Sequence, residues 1–283
     1  MTTVELQLVG AGGEPVDLRR TLASHGVASL PPNAIDEEAW TLAVTLPAGR
    51  ALVREAGPRA AAVEVDASDG RRDHVLATLR RMLVLDDDLS PFYARIEGDP
   101  DLGWAARGAG RMLRSPTVFE DVVKTICTTN CAWSATVRMV GALVRELGGG
   151  AFPTPAQMAS APDEFYAEVV RAGYRGPYLR TLAAGVATGE LDLEALLDPE
   201  LPDEEAAARL LALPGVGPYA CAHAMMLVGR HRRLVLDSWT RPKYARVVGR
   251  TTNDATIERR FRRYGEYAGL AFWLVVTRDW VDD

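Results

Sequence analysis

Residues 211–226 read Leu211-Ala-Leu-Pro-Gly-Val-Gly-Pro-Tyr-Ala-Cys-Ala-His-Ala-Met-Met226, and the reading of this stretch decides the fold. Gly215, Gly217 and Ala220 fit G-x-G-x-x-A, a form of the dinucleotide-binding fingerprint, and Asp237 lies twenty residues past Gly217. That fingerprint works only where a strand runs into the first glycine inside a βαβ unit. Here the preceding residues are Asp203-Glu-Glu-Ala-Ala-Ala-Arg-Leu-Leu-Ala-Leu213. These are strong helix formers, the acidic first turn suits the positive end of a helix dipole, and Pro214 stops the run. The turn therefore joins helix to helix, and a dinucleotide loop is excluded.

A helix, a four-residue Pro-Gly-Val-Gly turn and a second helix have a different use. The glycines open backbone conformations closed to other residues and leave room for a phosphate to approach. The second helix starts at Pro218, a favoured first-turn residue, so its N-terminus offers free amides and a partial positive charge to an anion. Val216 is expected to plug inward. An ordinary turn between two helices is the alternative. The grip is made by backbone, so even an acidic protein can use it.

The rest of the composition bounds the class. With 283 residues, 48% of them apolar, the chain can bury a sizeable core in one to three domains. No apolar run reaches the roughly 18 residues that span a bilayer. The start, Met-Thr-Thr-Val-Glu-Leu-Gln, has no basic segment followed by an apolar one, so a cytoplasmic protein is expected. Three cysteines, Cys127, Cys131 and Cys221, argue against a disulfide framework, and no Cys/His pair follows Cys127 and Cys131 at zinc spacing. Net charge is −6, but residues 230–283 alone carry 12 basic and 7 acidic side chains. That local excess is either a solvated helical surface or an electrostatic footprint for a polyanion.

Alternation of apolar and polar residues predicts strands over 4–9, 40–46 and 62–67, with a short helix over 17–26. From residue 74 the texture is helical, with helices expected over 74–85, 117–129, 134–147, 162–172, 178–188, 203–213, 218–228, 238–248 and 267–280, among others. The fold class is α+β, a small sheet followed by a large all-helical part.

These motifs together resemble the helix-hairpin-helix (HhH-GPD) DNA glycosylase superfamily, between 3-methyladenine DNA glycosylase II and 8-oxoguanine DNA glycosylase. "LLALPGVGPYA" followed by "LVLDSW" carries the resemblance first, with Asp237 at the position of the catalytic aspartate. Arg111-Met-Leu-Arg-Ser-Pro-Thr-Val-Phe-Glu-Asp-Val-Val-Lys-Thr-Ile-Cys-Thr-Thr-Asn130 is similar to the segment that opens the helical domain of 8-oxoguanine glycosylases. Ala172-Gly-Tyr-Arg-Gly-Pro-Tyr178 and Tyr267-Ala-Gly-Leu-Ala271 resemble further family segments, as does the linker around 80–93. The resemblance covers 75–280; the first 70 residues match only in texture, that of a small antiparallel, TBP-like sheet domain. It implies an N-terminal domain over 1–73, a helical lobe over 112–228 ending in the hairpin, and a second lobe from 74–111 with 229–283.

The resemblance also implies chemistry. The family hydrolyses the N-glycosidic bond of a damaged base flipped out of duplex DNA. Asp237 would stabilise the oxocarbenium-like sugar and orient or deprotonate water; an Asp there is equally a cap for a helix over 238–248. Bifunctional members place a nucleophilic lysine where Tyr219 stands here, and a phenol forms no Schiff base, so base removal without strand cleavage is expected. Phe272 replaces the glutamine that reads the base edge in the 8-oxoguanine branch. Tyr219, His223, Trp239, Phe272, Trp133 and Trp273 are candidates for an aromatic base pocket suited to alkylated, positively charged purines. DNA contacts fall to the hairpin residues Pro214, Gly215, Val216 and Gly217 with Tyr219, to Asn130, which would fill the gap left by the flipped base, and to the basic Arg241 and Lys243. Double-stranded DNA carrying a damaged base is the implied partner and the nucleoid the implied place, with the protein a monomer. The implied site uses no cofactor. The hairpin carbonyls are left as a place for a monovalent cation, and Cys221 alone cannot build the family's four-cysteine iron–sulfur cluster. An 8-oxoguanine-type glycosylase and a non-catalytic helix-hairpin-helix DNA-binding protein are the alternatives.

Overall fold

The structure is a computed structural model and describes residues 2–68 and 70–282. Met1 and Asp283, the outer bounds of the expected domains, lie outside the described residues. Five antiparallel strands form one sheet in the order β1-β5-β4-β3-β2: β1 (Thr2–Gln7), β2 (Asn33–Asp36), β3 (Thr41–Leu46), β4 (Gly49–Glu55) and β5 (Ala60–Asp66). Alternation buries one face, with Leu42, Val44 and Leu46 of β3, Ala51 and Val53 of β4, and Ala61, Val63 and Val65 of β5 all inward. α1 (Leu18–Leu22), capped by Asp17 Oδ1 on the Arg20 amide, follows β1 in the chain and packs Leu18 and Leu22 into the sheet's core.

Two strands escaped the sequence reading. β2 is four residues long and holds Asn33 and Asp36, both poor strand formers. β4 is interrupted by Arg50 and Arg54, which point outward from the same alternation that buries Ala51 and Val53. α2 (Arg72–Met82) lays Val75, Leu79 and Met82, one helical face, onto the sheet, and these residues join the sheet's core.

The remaining helices build two cores. The first gathers α4 (Val118–Thr128), α5 (Trp133–Glu146), α6 (Pro155–Ser160), α7 (Arg175–Thr188), α8 (Asp203–Leu211) and α9 (Pro218–Leu227). The second gathers α3 (Ser90–Ile96), α10 (Thr240–Val248), α11 (Asp254–Phe261) and α12 (Ala268–Thr277). The expected helix over 162–172 is instead a single π turn, Phe165–Val169, in which the Val170 amide donates to the Phe165 carbonyl at 3.0 Å.

α9 explains why the site lies where it does. Its sequence, PYACAHAMML, is apolar on every side, which suits a helix surrounded by protein. Cys221, Ala224 and Met225 pack into the first core, while Ala222, Met226 and Leu227 pack into the second. The helix is thus the wedge between the lobes, and its N-terminus opens at their junction. α4 is also buried along its length and encloses the Glu120–Lys124 pair at 2.6 Å, with Asp121 Oδ1 accepting the Ser115 amide at 2.9 Å. Burial pushes the Glu120 carboxyl up and that of Asp121 up to about 6.

Candidate active site

The turn between α8 and α9 has the geometry a glycine-rich hairpin needs, but the two glycines do different jobs. Gly215 has φ +83°, a left-handed conformation, and a Cβ there would meet Tyr178 at 3.0 Å and Ile126 at 3.4 Å. Gly217 has φ −97° and ψ −175°, extended backbone open to any residue, and a Cβ there would project into open space. The sequence predicts a conformational role for both glycines; Gly217 has none and keeps the backbone bare. Gly215→Ala is expected to lower the unfolding free energy by about 1 to 2 kcal/mol in a urea titration, with Gly217→Ala staying within about 0.5 kcal/mol of the parent. Val216 is buried in the first core and its amide donates to the Leu213 carbonyl at 3.2 Å. Pro218 opens α9, Gly217 supplies no side-chain cap, and the Tyr219 and Ala220 amides of the first turn have no acceptor within the helix.

Asp237 sits between the extended run 234–236 and α10. Its Oδ1 accepts the amides of Trp239 (2.8 Å) and Thr240 (2.6 Å), and its own amide donates to Thr240 Oγ1 at 2.9 Å. This reciprocal cap holds the carboxylate in one orientation. The helix it caps begins at Thr240, two residues later than expected. Oδ2 takes no hydrogen bond among the described residues and is left for other work. Capping and catalysis are thus divided between the two oxygens of one side chain.

Around the carboxylate runs a chain of rings. Tyr219 stacks on His223 (centroids 6.2 Å apart, planes 24°), and His223 meets Trp273 edge-on at 6.3 Å. Trp273 in turn packs on Trp239 (6.0 Å) and Trp280 (6.1 Å). Tyr219 Oη lies 3.2 Å from Thr128 Oγ1 at the end of α4. Burial raises the Tyr219 phenol; the Thr128 hydrogen bond opposes this and the Asp237 charge adds to it. Burial drives the His223 imidazole down to about 4 against the pull of Asp237. Asp237, Tyr219 and His223 therefore share one electrostatic neighbourhood. On the other side of Tyr219 a cleft of about 690 Å³ opens, lined by Pro218, Tyr219, Leu236 and Arg241 among others but by neither Asp237 nor His223.

The other expected residues fall less uniformly. Trp133 is 46% exposed at the start of α5 and rests its ring 3.4 Å from where a Gly26 Cβ would stand. Trp239 is 38% exposed and faces the ring chain. Phe272 is not brought to the site: it is fully buried between Phe261 (5.3 Å) and Tyr244 (5.7 Å) in the second core. Its neighbour Trp273, also a candidate, lies on an adjacent face of α12 and joins the ring chain, with Nε1 donating to the Ser24 carbonyl at 2.7 Å. Asn130 ends α4 in a left-handed conformation (φ 46°), exposed, and its Nδ2 donates to Tyr174 Oη at 3.2 Å. Tyr174, 51% exposed, is stacked under the Arg175 guanidinium at 4.4 Å. Arg241 is held bidentately by Asp254 (2.8 Å on each oxygen) and Lys243 by Asp279 (2.5 Å). Both are solvent-facing ion pairs, which contribute little and exchange readily for another anion. Among the described residues no group of His, Cys, Asp and Glu could hold a metal ion, and no helix is long and apolar enough to cross a membrane.

One residue of this neighbourhood was missed outright. His25, in the turn after α1, packs edge-on against His223 with centroids 5.3 Å apart. Nothing in its own sequence context marks it, because it reaches the site only through contacts between the sheet domain and both lobes.

Comparison with known proteins bears on the fold. No family model matches the chain. A DNA-3-methyladenine glycosylase of Bacillus subtilis (strain 168) is 23% identical over 167 residues, 55% of this chain. The chain spans about half the length of that curated relative (54%). In structure the chain is similar to the 8-oxoguanine glycosylase/lyase of Clostridium acetobutylicum in its apo form, with a TM-score of 0.75 at 18% identity over 98% of this chain and 96% of that one. The same Clostridium protein has been solved with double-stranded DNA containing cytosine opposite 8-oxoguanine (TM-score 0.72, 19% identity, covering 93% of this chain and 92% of that one). The chain is equally similar to the 3-methyladenine DNA glycosylase of Archaeoglobus fulgidus, with a TM-score of 0.72 at 20% identity over 99% of this chain and all of that one. The fold is the helix-hairpin-helix DNA glycosylase fold, sheet domain included.

Proposed function

We propose that this protein is a monofunctional DNA glycosylase of base excision repair, which removes damaged purines from duplex DNA by hydrolysing the N-glycosidic bond. The observation that carries the reading is Asp237: a carboxylate fixed through one oxygen, free at the other, beside a chain of aromatic rings and next to a bare glycine hairpin. In the reaction a strand phosphate rests on the first-turn amides of α9. The flipped base stacks on the ring chain, and Asp237 Oδ2 faces the sugar as its carbon–nitrogen bond lengthens. The carboxylate stabilises the developing cation and orients the attacking water. A cationic alkylated base leaves with the bonding electrons as a neutral molecule, whereas a neutral lesion takes up a proton from solvent as it leaves; the water oxygen ends on the sugar carbon and its surplus proton passes through Asp237 to solvent.

Tyr219 supports the absence of strand cleavage. It occupies the position from which an amine would attack, and its phenol is raised by burial, so it stays protonated at neutral pH. Lys124, one of only two lysines, is buried in its pair with Glu120, and Lys243 is paired with Asp279. Alkylated purines are the favoured substrates, because electron-rich ring faces attract a cationic base; 8-oxoguanine is the second substrate class, favoured by the likeness to the Clostridium protein. The Leu213 carbonyl keeps a second lone pair beyond its bond to the Val216 amide, so the hairpin can hold a monovalent cation that would help fix a phosphate there. A monomer working on the nucleoid fits this reading.

The test is a panel of duplexes carrying 3-methyladenine, 7-methylguanine, hypoxanthine, ethenoadenine or 8-oxoguanine. Free base should appear from at least one, and the strand should break only after alkali. Strand cleavage without alkali would contradict the role given to Tyr219. Binding without release of any base would favour a non-catalytic DNA-binding protein.

A further inference from the structure

At one end of the ring chain lie two buried imidazoles, each with one ring nitrogen that has no partner. His25 and His223 are each 3% exposed. His25 Nε2 lies 2.8 Å from the Leu113 carbonyl oxygen. A carbonyl only accepts, so Nε2 carries the proton and Nδ1 of the neutral ring is left with a lone pair. That Nδ1 is buried without a partner, and so is Nε2 of His223. Burial pushes both rings down, His25 to about 3 and His223 to about 4, so both are neutral at pH 7. The anchor to Leu113 fixes both the tautomer and the orientation of His25, and Ser24 beside it is bonded to the Leu113 amide (2.9 Å) and to Trp273 (2.7 Å).

Buried polar atoms without partners are rare in folded proteins and each one costs stability. Here two of them belong to adjacent rings, at the end of an aromatic chain that has a free carboxylate oxygen beside it. We propose that His25 Nδ1 and His223 Nε2 form the edge-reading end of the base pocket, His25 as a fixed acceptor that requires an N–H donor on the incoming purine. The chemical class is then a purine with a lactam or amino N–H on the edge that enters first. His223 adapts to the same edge, since its tautomer is not fixed by an anchor. The sheet domain, through His25, takes part in choosing the base. This inference rests on the glycosylase reading and narrows it.

The test uses His25→Gln and His223→Phe in the full chain. Glutamine carries an amide nitrogen that can replace Nε2 on the Leu113 carbonyl, but it has no acceptor at the Nδ1 position. Phenylalanine keeps a ring between Tyr219 and Trp273 and removes Nε2 without touching the Leu113 anchor. Single-turnover excision is measured on the same lesion panel, alongside affinity for undamaged duplex and the urea midpoint. Each variant should lose roughly ten- to a hundredfold in rate on the base the parent removes best, the factor an unmatched buried group costs. The rank order of bases should change, and undamaged-duplex affinity should stay as in the parent. Parental rates and rank order in either variant that keeps the parental urea midpoint overturn the inference while leaving the glycosylase reading intact. A parent that releases no base overturns the glycosylase reading, and the inference with it.

Discussion

Asp237→Asn is expected to slow single-turnover base release about a thousandfold, a loss of roughly 4 kcal/mol of transition-state stabilisation, while damaged duplex is still bound. The reason lies in the division of labour between the two carboxylate oxygens. Asparagine keeps an acceptor for the Trp239 and Thr240 amides, and Thr240 Oγ1 still accepts the residue 237 amide. The start of α10 should therefore survive, with the unfolding free energy within about 1 kcal/mol of the parent. What disappears is the negative charge at the second oxygen. Asp237→Ala separates the two roles, because it also removes the cap and should cost about 1 kcal/mol of stability. Base release measured by quenched flow, with urea unfolding on the same preparations, checks both. An Asn variant that excises at the parental rate would show that the carboxylate is only a cap.

The second large effect is on stability in acid. His25 and His223 are held neutral in the folded protein down to about pH 3 and pH 4, whereas in the unfolded chain an imidazole takes up its proton near pH 6.5. Between those values the unfolded state binds more protons, so acid favours unfolding. The contribution is fully present above about pH 6.5 and drains as pH falls toward the folded values, at about 1.4 kcal/mol per pH unit for each ring. His231, packed against Tyr267 and pushed down to about 4 by burial, acts in the same direction. Asp121 and Glu120, both raised by burial, oppose them. The Asp121 carboxyl is raised to about 6 in the fold, so as pH falls through 6 toward 4 the folded state gains the proton first and is stabilised by about 1.4 kcal/mol per unit. The balance is a loss of about 1.5 to 3 kcal/mol per pH unit between pH 6 and pH 4, on a scale where whole domains have about 5 to 15 kcal/mol. The urea midpoint should fall steeply over this range. A midpoint constant from pH 7 to pH 4.5 would mean that the imidazoles are not desolvated as described.

The hairpin, the aspartate and the helical bulk were legible in the sequence because each rests on local chemistry. Pro214 and Pro218 bracket a turn that no strand enters, and Asp237 announces a cap by its position before 238–248. What could not be read required tertiary context. α12 is buried on all sides, so periodicity could not say which face meets the ring chain; Phe272 and Trp273 were both candidates, and Trp273 alone joins it. α9 is apolar all round for the same reason, yet its direction was fixed by the hairpin at its start, which is why Tyr219 and His223 were found. β2 and β4 carry charged and turn-forming residues: Asp36, Arg50 and Arg54 face outward, and the buried Asn33 donates its side-chain amide to the Ala28 carbonyl at 2.8 Å. His25 has no local signature, since its partner Leu113 is 88 residues away.

The central claim, that a lone carboxylate acts on a flipped base while the hairpin amides hold the strand, is tested most directly by a crystal structure of Asp237→Asn bound to a duplex carrying a base the parent excises. The account predicts that base rotated out among Tyr219, His223 and Trp239, its sugar against residue 237, and a phosphate on the Tyr219 and Ala220 amides. A lesion still stacked in the duplex, or DNA lying on a face away from the hairpin, would contradict it.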